Sequence, residues 1–405
     1  MDPMTTPCPV YPALRLKPRA DARRIRLGHP WAWADDLVLD RRARALPPGA
    51  LVVLEDAARA PIGLGVATVN ARIGWRMLDS DTTAQIDQTW INQRVDAALA
   101  HRARIYNAPY YRLVHAEGDA LPGVIVDRFG DVCAIQPNAL WVEARINMVC
   151  AALTRATGCQ TIIKNGMARA RAAEGLPQDM GTLTGVAPDE PIAVPMNGAI
   201  YMADLMRGQK TGLFYDQRPN HAFAAQIAHG ARVLDVFCHV GGFGLACLAK
   251  GAASVTAIDA SAPALDLAKA GAQAMGVEAQ LTVRQGDAFV EMETLTQSDA
   301  RFDLIIADPP AFAPSKSALQ QGLRAYERVA RLAAGLVDPG GIVMLCSCSH
   351  AADLDKFRAA CLRGIGRAGR TARVIHTGFA GPDHPLHPAL TETGYLKALA
   401  FRLMP

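Results

Sequence analysis

The spacing of hydrophobic positions changes twice along the chain. From residue 14 to about residue 78, apolar residues come in short runs, Leu37-Val-Leu39, Leu51-Val-Val-Leu54 and Ile62-Gly-Leu-Gly-Val-Ala67, broken by Pro-Pro-Gly and Asn-Ala. Short runs between turn residues predict strands, so this segment reads as a small β-rich module. Over residues 91–106 the spacing turns helical, with Val95, Leu99 and Ile105 on one side. Gly123-Val-Ile-Val-Asp-Arg-Phe-Gly-Asp-Val-Cys-Ala-Ile-Gln136 predicts two strands about an Arg-Phe-Gly-Asp turn, followed by a helix over about 141–157. Thr161-Ile-Ile-Lys164 and Ile192-Ala-Val194 add strands, and residues 86–190 read as a small central α+β domain. From Gly230 onward the pattern becomes strand, helix, strand, repeated. Val233-Leu-Asp-Val236, Ser254-Val-Thr-Ala-Ile-Asp259, Leu281-Thr-Val283, Leu304-Ile-Ile-Ala307 and Ile342-Val-Met-Leu345 alternate with Ala- and Leu-rich helical segments. That alternation predicts an α/β fold with a doubly wound, Rossmann-like sheet. Three domains are expected, at residues 1–82, 86–190 and 191–405.

Length and composition agree with a folded chain of several cores: 405 residues, half of them hydrophobic and a fifth charged. No window of eighteen uncharged apolar residues occurs, so no membrane span is expected. The first residues, Met1-Asp-Pro-Met-Thr-Thr-Pro-Cys-Pro9, lack the charged and apolar regions of a secretory signal, and a cytoplasmic location is the expectation. Nine cysteines are scattered without a CxxC pair, which argues for reduced thiols rather than a disulfide framework or a structural zinc site. His384 and His387 are poorly spaced for ligation with any third ligand, and no metal is expected. The net charge of +4 is small, yet the first 44 residues hold nine Lys or Arg against five Asp. There, Trp31 and Trp33 stand beside Arg23, Arg24 and Arg26, either as a base-stacking and phosphate-binding edge or as the packing of a small β-module.

Ligands of open α/β sheets bind at the carboxyl ends of the strands, and this sequence places acids and glycines there. Asp235 lies in the first strand, and His239-Val-Gly-Gly-Phe-Gly244 forms the turn into the next helix. Asp259 ends the second strand, where a carboxylate can accept both hydroxyls of a ribose. Asp287 follows the third, placed for an adenine amine, with Phe289 packing nearby. A dinucleotide dehydrogenase also sets an acid after a glycine turn, but Gly241, Gly242 and Gly244 do not reproduce its G-x-G-x-x-G spacing.

At the end of the fourth strand, Asp308-Pro-Pro-Ala-Phe312 offers a carboxylate, backbone carbonyls and a ring to frame a flipped base, or else forms a rigid strand terminus. Cys346 and Cys348 end the fifth. Cys346 reads as a core thiol, whereas Cys348 is nearer the loop and better placed to reach a substrate. The chemistry needs such a thiol: C5 of a pyrimidine is a poor nucleophile until C6 has been attacked, and a thiolate can attack and later leave.

In this order the motifs resemble those of class I S-adenosylmethionine-dependent RNA methyltransferases, most closely the bacterial large-subunit ribosomal RNA cytosine-5 methyltransferases with an N-terminal PUA domain. The resemblance is carried by Lys210-Thr-Gly-Leu-Phe-Tyr-Asp-Gln-Arg218, Asp235-Val-Phe-Cys-His-Val-Gly-Gly-Phe-Gly244, Asp308-Pro-Pro-Ala-Phe312 and Cys346-Ser-Cys-Ser349. Gly28-His-Pro-Trp-Ala-Trp33, Leu121-Pro-Gly-Val-Ile-Val-Asp-Arg-Phe-Gly-Asp131, Asp383-His-Pro385 and Gly394-Tyr-Leu-Lys-Ala-Leu399 extend it to nearly the whole chain. It implies a PUA-like RNA-binding domain, a small linking domain and a Rossmann-like methyltransferase domain using S-adenosylmethionine. It also implies Cys348 as nucleophile and Asp308 as the group holding cytosine at N3 and its exocyclic amine. Asp235, Phe237, Gly241, Asp259, Asp287, Asp308, Phe214 and Gln217 fall on the cofactor side, and Pro309, Phe312, Lys210 and Arg218 on the substrate side. For Asp216, Gln217 and Arg218 the plain alternative is a capped entry into the next helix, and Arg218 could equally contact a phosphate.

Two departures bear on the chemistry. Many cytosine-5 enzymes carry a second cysteine in the strand-four loop for product release, where this chain has Pro309-Pro310-Ala311, so another base, water or a neighbouring acid, is needed. After the thiol comes His350-Ala-Ala-Asp353, where the Gly-Leu-Met of close relatives would stand. The expected partner is RNA, by the resemblance large-subunit ribosomal RNA, with no membrane partner and with a homodimer allowed by an exposed strand edge of the middle domain. The alternatives are a same-fold methyltransferase acting on a guanine nitrogen or another RNA, and a non-catalytic RNA-binding ribosome-assembly protein.

Overall fold

The computed structural model describes residues 10–208 and 212–404. Two compact units emerge, one built on residues up to Ala187 with Pro385–Leu390, the other on Pro188–His384 with residues from Thr391 onward.

The first unit holds two five-stranded sheets. In one, the strands run Ala13–Arg15, Ala50–Glu55, Pro61–Ala67, Ile73–Asp79 and Trp31–Trp33 across the sheet. The run Leu37-Val-Leu39, expected as a strand, is not one. Leu37 is fully buried and makes a single bridge to Leu16, because a 3-10 turn at Ala34–Asp36 precedes it and Asp40 caps a short helix just after it. Trp31 and Trp33 lie edge to face at 5.7 Å, with the Arg76 and Arg72 guanidinium groups over their rings and the Trp31 indole N–H donating to Glu117. Both rings are therefore engaged in packing the module.

The other sheet runs Met180–Thr184, Thr161–Asn165, Val132–Pro137, Val124–Phe129 and Tyr110–His115, covered by helices Gln88–Ala103 and Ile146–Thr157. The helix expected over 141–157 is two helices, Leu140–Glu143 and Ile146–Thr157. Arg145 between them leaves helical geometry at φ −123° and ψ 20°, and Trp141, fully buried, donates its indole N–H to the Pro122 carbonyl and pins the short first piece. Ile192–Met196 belongs to the second unit, as a hairpin with Ala199–Ala203.

In the second unit, seven strands form one sheet: β1 (Arg232–Val236), β2 (Ser254–Asp259), β3 (Leu281–Gln285), β4 (Phe302–Ala307), β5 (Val337–Ser347), β6 (Ala372–Gly378) and β7 (Lys397–Leu403). Their order is β3-β2-β1-β4-β5-β7-β6, parallel through the first five, with β7 antiparallel to both β5 and β6. The helices are α1 (Arg218–Gln226), α2 (Gly242–Ala249), α3 (Ala262–Ala274), α4 (Ala288–Gln297), α5 (Leu319–Leu336) and α6 (Leu354–Arg367). Parallel strands covered on both faces read as continuous apolar runs, and Val233, Leu234, Val236 and residues 304–307 are accordingly almost wholly buried. The strand order reverses between β1 and β4, which opens a crevice at their carboxyl ends. Among the described residues, no helix is long and apolar enough to cross a membrane.

One buried ion pair anchors the first unit. Arg102 is fully buried on its helix, binds both carboxylate oxygens of Asp119 and donates to the Arg112 carbonyl at 2.9 Å. Truncating one partner strands the other charge in a place without water. Arg102→Ala is expected to destabilise this unit by roughly 3–5 kcal/mol. Chemical denaturation followed by tryptophan fluorescence checks this, since all five tryptophans lie in the first 141 residues. A loss below about 1 kcal/mol would mean that water replaces the pair without strain.

Candidate active site

The turn leaving β1 is tightly specified. Phe237 (φ 62°) and His239 (φ 52°) are both left-handed, a conformation costing non-glycine residues on the order of 1–3 kcal/mol each. Cross-strand bonds hold them there: Cys238 N–H donates to the Ile258 carbonyl at 3.0 Å and His239 N–H to Asp259 Oδ2 at 2.8 Å. Gly241, at φ +81°, completes the turn, and Gly244 lies so close to the sheet that a Cβ would stand 2.9 Å from Val255 and 3.1 Å from Asp235 Oδ2.

Asp235 is fully buried, with Oδ2 accepting from Gly244 N–H at 2.7 Å and Oδ1 without a partner. Burial pushes its pKa up to about 7; the Gly244 bond pulls it down and the Asp259 charge adds to the rise. The Asp259 carboxylate, half-buried, is also held by Ser261 N–H at 2.9 Å. Asp287 is exposed and caps α4 through Phe289 and Val290 N–H groups, which fixes its direction at the end of β3. The rings of Phe237, Phe289 and Phe312 converge with centroids 6.2–6.3 Å apart. Phe312, expected on the substrate side, joins the rings of the cofactor side because Tyr326 of α5 packs against it at 5.0 Å. Carboxylates at two strand ends, an apolar aromatic wall and a tight glycine turn at Gly241 fit an adenosine-bearing cofactor.

Across the crevice, Asp308 N–H donates to the Val236 carbonyl at 3.2 Å, tying the β4 end to the β1 end. Asp308 Oδ2 accepts from Gln217 Nε2 at 2.9 Å, Gln217 Oε1 accepts from Asn220 Nδ2 at 2.7 Å, and Asn220 also reaches the Phe379 carbonyl. Asp216 Oδ2 accepts from Tyr395 Oη at 2.5 Å. None of these side chains caps α1, which starts without a side-chain cap and carries Pro219 in its first turn, a residue with no N–H to satisfy. The capped-entry alternative therefore gives way to an inward-facing polar string that orients Asp308. Phe214 sets its ring edge to face with His239 at 5.0 Å, and Arg218 is half-buried with its carbonyl bound by Asn197. Lys210 lies outside the described residues.

Cys348 stands one residue beyond β5, half-buried, with Sγ 4.0 Å from the carbonyl of the buried Pro309. Cys346 is completely buried, and that burial pushes its thiol well above the ordinary cysteine range. The flanking serines lock the turn: Ser347 Oγ donates to Tyr326 Oη (2.9 Å), Tyr326 Oη and Ser349 Oγ are 2.7 Å apart, and Ala313 N–H donates to Ser349 Oγ (2.9 Å). Lys397, buried at the start of β7, donates to the Ser349 carbonyl at 2.8 Å. Tyr326, Tyr395, Asn220 and Lys397 were not singled out from the sequence. Their only signals are that Asn220 lies three positions after Gln217 and that Tyr395 and Lys397 fall within Gly394-Tyr-Leu-Lys-Ala-Leu399.

Comparison with known proteins agrees with this geometry. Residues 173–402 match the S-adenosylmethionine-dependent methyltransferase family, and residues 14–80 a PUA-like domain. Curated relatives named ribosomal RNA large subunit methyltransferase I, from Shewanella denitrificans (31% identical, 96% of this chain and 99% of that one), and ribosomal RNA large subunit methyltransferase, from Deinococcus radiodurans (30%, 99% and 100%), span it end to end. A methyltransferase solved with S-adenosylhomocysteine shares the fold at TM-score 0.82 and 19% identity, covering 96% of this chain and all of that one.

The burial of Asp235 makes stability depend on pH. Its folded pKa, about 7, lies above the unfolded value near 4, so the folded chain binds the proton more tightly. This group's contribution is full below about pH 4 and is lost as pH rises through about 7. Asp235→Asn should flatten that decline and raise the melting temperature more at pH 8 than at pH 5, as read by thermal melts of cofactor-free protein. A variant that keeps the native slope would show that the Asp235 charge is not its source.

Proposed function

This chain belongs to the S-adenosylmethionine-dependent methyltransferases, and from that premise we propose that it methylates C5 of a cytosine in large-subunit ribosomal RNA through a covalent Cys348 adduct. The RNA class is that named for its full-length relatives, and the PUA-like domain is consistent with it. The base is argued from one observation: of the cysteines in the second unit's described residues, Cys348 is the one that is not buried, and it stands beside the Asp308-Pro309 turn.

Asp259, Asp287 and the Phe237 and Phe289 rings would hold the adenosine of S-adenosylmethionine, which when bound supplies an electrophilic methyl group. Asp235 acts one step back, by fixing Gly244 and the turn. Cys348 attacks C6 of the cytosine as a thiolate, forming the S–C6 bond, while the displaced electron pair is accepted at N3 with a proton held by Asp308. Gln217 Nε2, bound to Asp308 Oδ2, holds that carboxylate at the end of β4. The adduct makes C5 nucleophilic. After C5 has gained its methyl group, its proton leaves to an oxygen base and the S–C6 bond breaks as the ring double bond returns. With Pro309-Pro310-Ala311 in the turn, no second thiol is available there to take that proton.

Mass mapping of ribosomal RNA from cells with and without the gene is expected to show one lost 5-methylcytosine in the large subunit, restored by the native chain but not by Cys348→Ala, whose turnover should fall to background. Loss of a methylguanine that Cys348→Ala restores would make the thiol a packing group. An unchanged map from a chain that does not bind S-adenosylmethionine would favour an RNA-binding assembly role.

A further inference from the structure

Lys397 is a charged residue placed where packing alone would put an apolar one. Leu396, Ala398, Leu399, Ala400 and Phe401 around it are all buried, and Lys397 itself keeps 5% of its surface. Withdrawing an ammonium from water is costly unless acceptors or an anion compensate. The Ser349 carbonyl takes one of its three donors. Electrostatics identify the rest of its setting: burial pulls its pKa down, and Cys348, then Asp353, pull it back up.

Among the described residues, four other titratable groups near the turn are neutral or acidic. Cys346 on β5 is a buried neutral thiol, and Tyr326 from α5 holds its hydroxyl between Ser347 and Ser349, with burial pushing its pKa up to about 12. Asp308 at the end of β4 and Asp353 at the start of α6 are acids, the second capping α6 and pairing with Lys356. Among these groups Lys397 is the buried cation, and the β5–β7 register, which pairs it with Ser347, sets it beside the turn that carries Cys348.

We propose that Lys397 is a positioning residue for the nucleophile: its buried ammonium favours the Cys348 thiolate and, through the Ser349 carbonyl, fixes the turn presenting it. The inference rests on the reading of Cys348 as the attacking group.

The test is the pH dependence of Cys348 alkylation by iodoacetamide, resolved from Cys346 by tandem mass spectrometry, in the full native chain, Lys397→Gln and Lys397→Arg. Glutamine keeps a donor for the Ser349 carbonyl and removes the charge. The alkylation midpoint should rise by about one pH unit in K397Q, roughly a tenfold smaller thiolate fraction below it, and stay near native in K397R. A K397Q chain with native melting behaviour and S-adenosylmethionine binding that alkylates on the native curve overturns the proposal. If K397Q does not fold, Cys348→Ser reads the same coupling from the other side, because interacting sites shift each other's titration. The Lys397 ε-carbon, followed by NMR, should then titrate at lower pH than in the native chain, and an unchanged titration refutes the coupling. Alkylation involves no methyl transfer, so this outcome is separate from that of the cytosine reading. A shifted midpoint in K397Q with a fully active C348A would keep the coupling and discard the C5 chemistry; the reverse pair of results would do the opposite.

Discussion

The central parallel strands β1 and β4, buried on both faces, can release polar groups only at their ends, and that constraint organises the second unit. The runs of β1 and β4 stop in register at Val236 and Ala307, and β5 continues two residues past their partner Leu345, so Phe237, Asp308 and Cys348 emerge along one edge. The bond from Asp308 N–H to the Val236 carbonyl joins the first two of these ends directly. Reversal of strand order between β1 and β4 leaves room there for a ligand. The acidic and aromatic groups after β1 to β3 and the Asp308 and Cys348 turns are thus neighbouring outcomes of one sheet topology.

The same edge concentrates costly features. Two left-handed non-glycine residues, a buried carboxylate with one unpartnered oxygen and a buried lysine all lie within the loops or strand ends that border the crevice. Strain and desolvation of this kind persist only where surrounding structure over-determines them. Here the Asp259 carboxylate fixes His239, Gly244 fixes Asp235, and the Ser347, Tyr326 and Ser349 hydroxyls fix the turn of Cys348.

Much of this was legible in the sequence because strand ends are. Asp259, Asp308 and Cys348 each follow an apolar run, and a run that long with a polar terminus announces both the strand and the group it delivers. Groups brought in from a distance left no such trace. Lys397 reaches the site because β7 inserts between β5 and β6, a pairing that no local pattern encodes, and Tyr395 meets Asp216 across 179 positions. Local rules also misread short elements. Leu37-Val-Leu39 has strand-like residues, but the turn before it and the cap after it leave space for one bridge, and the helix expected over 141–157 breaks where a tertiary bond from Trp141 outweighs continuous helical spacing.

Cys346 and Cys348, two positions apart, differ in depth: the first is buried and the second half-buried. By alternation along the sequence both are expected on one face, and alternation alone does not distinguish them. Cys346 pairs with Ala398 inside the sheet and is sealed from solvent, so its charged form is strongly disfavoured. Cys348 has left the ladder, faces the Pro309 carbonyl and lies next to the residue whose carbonyl holds Lys397. A thiol needs access for attack and a positive neighbour for ionisation. Moving it two residues outward supplies the first, and the antiparallel strand beside it supplies the second.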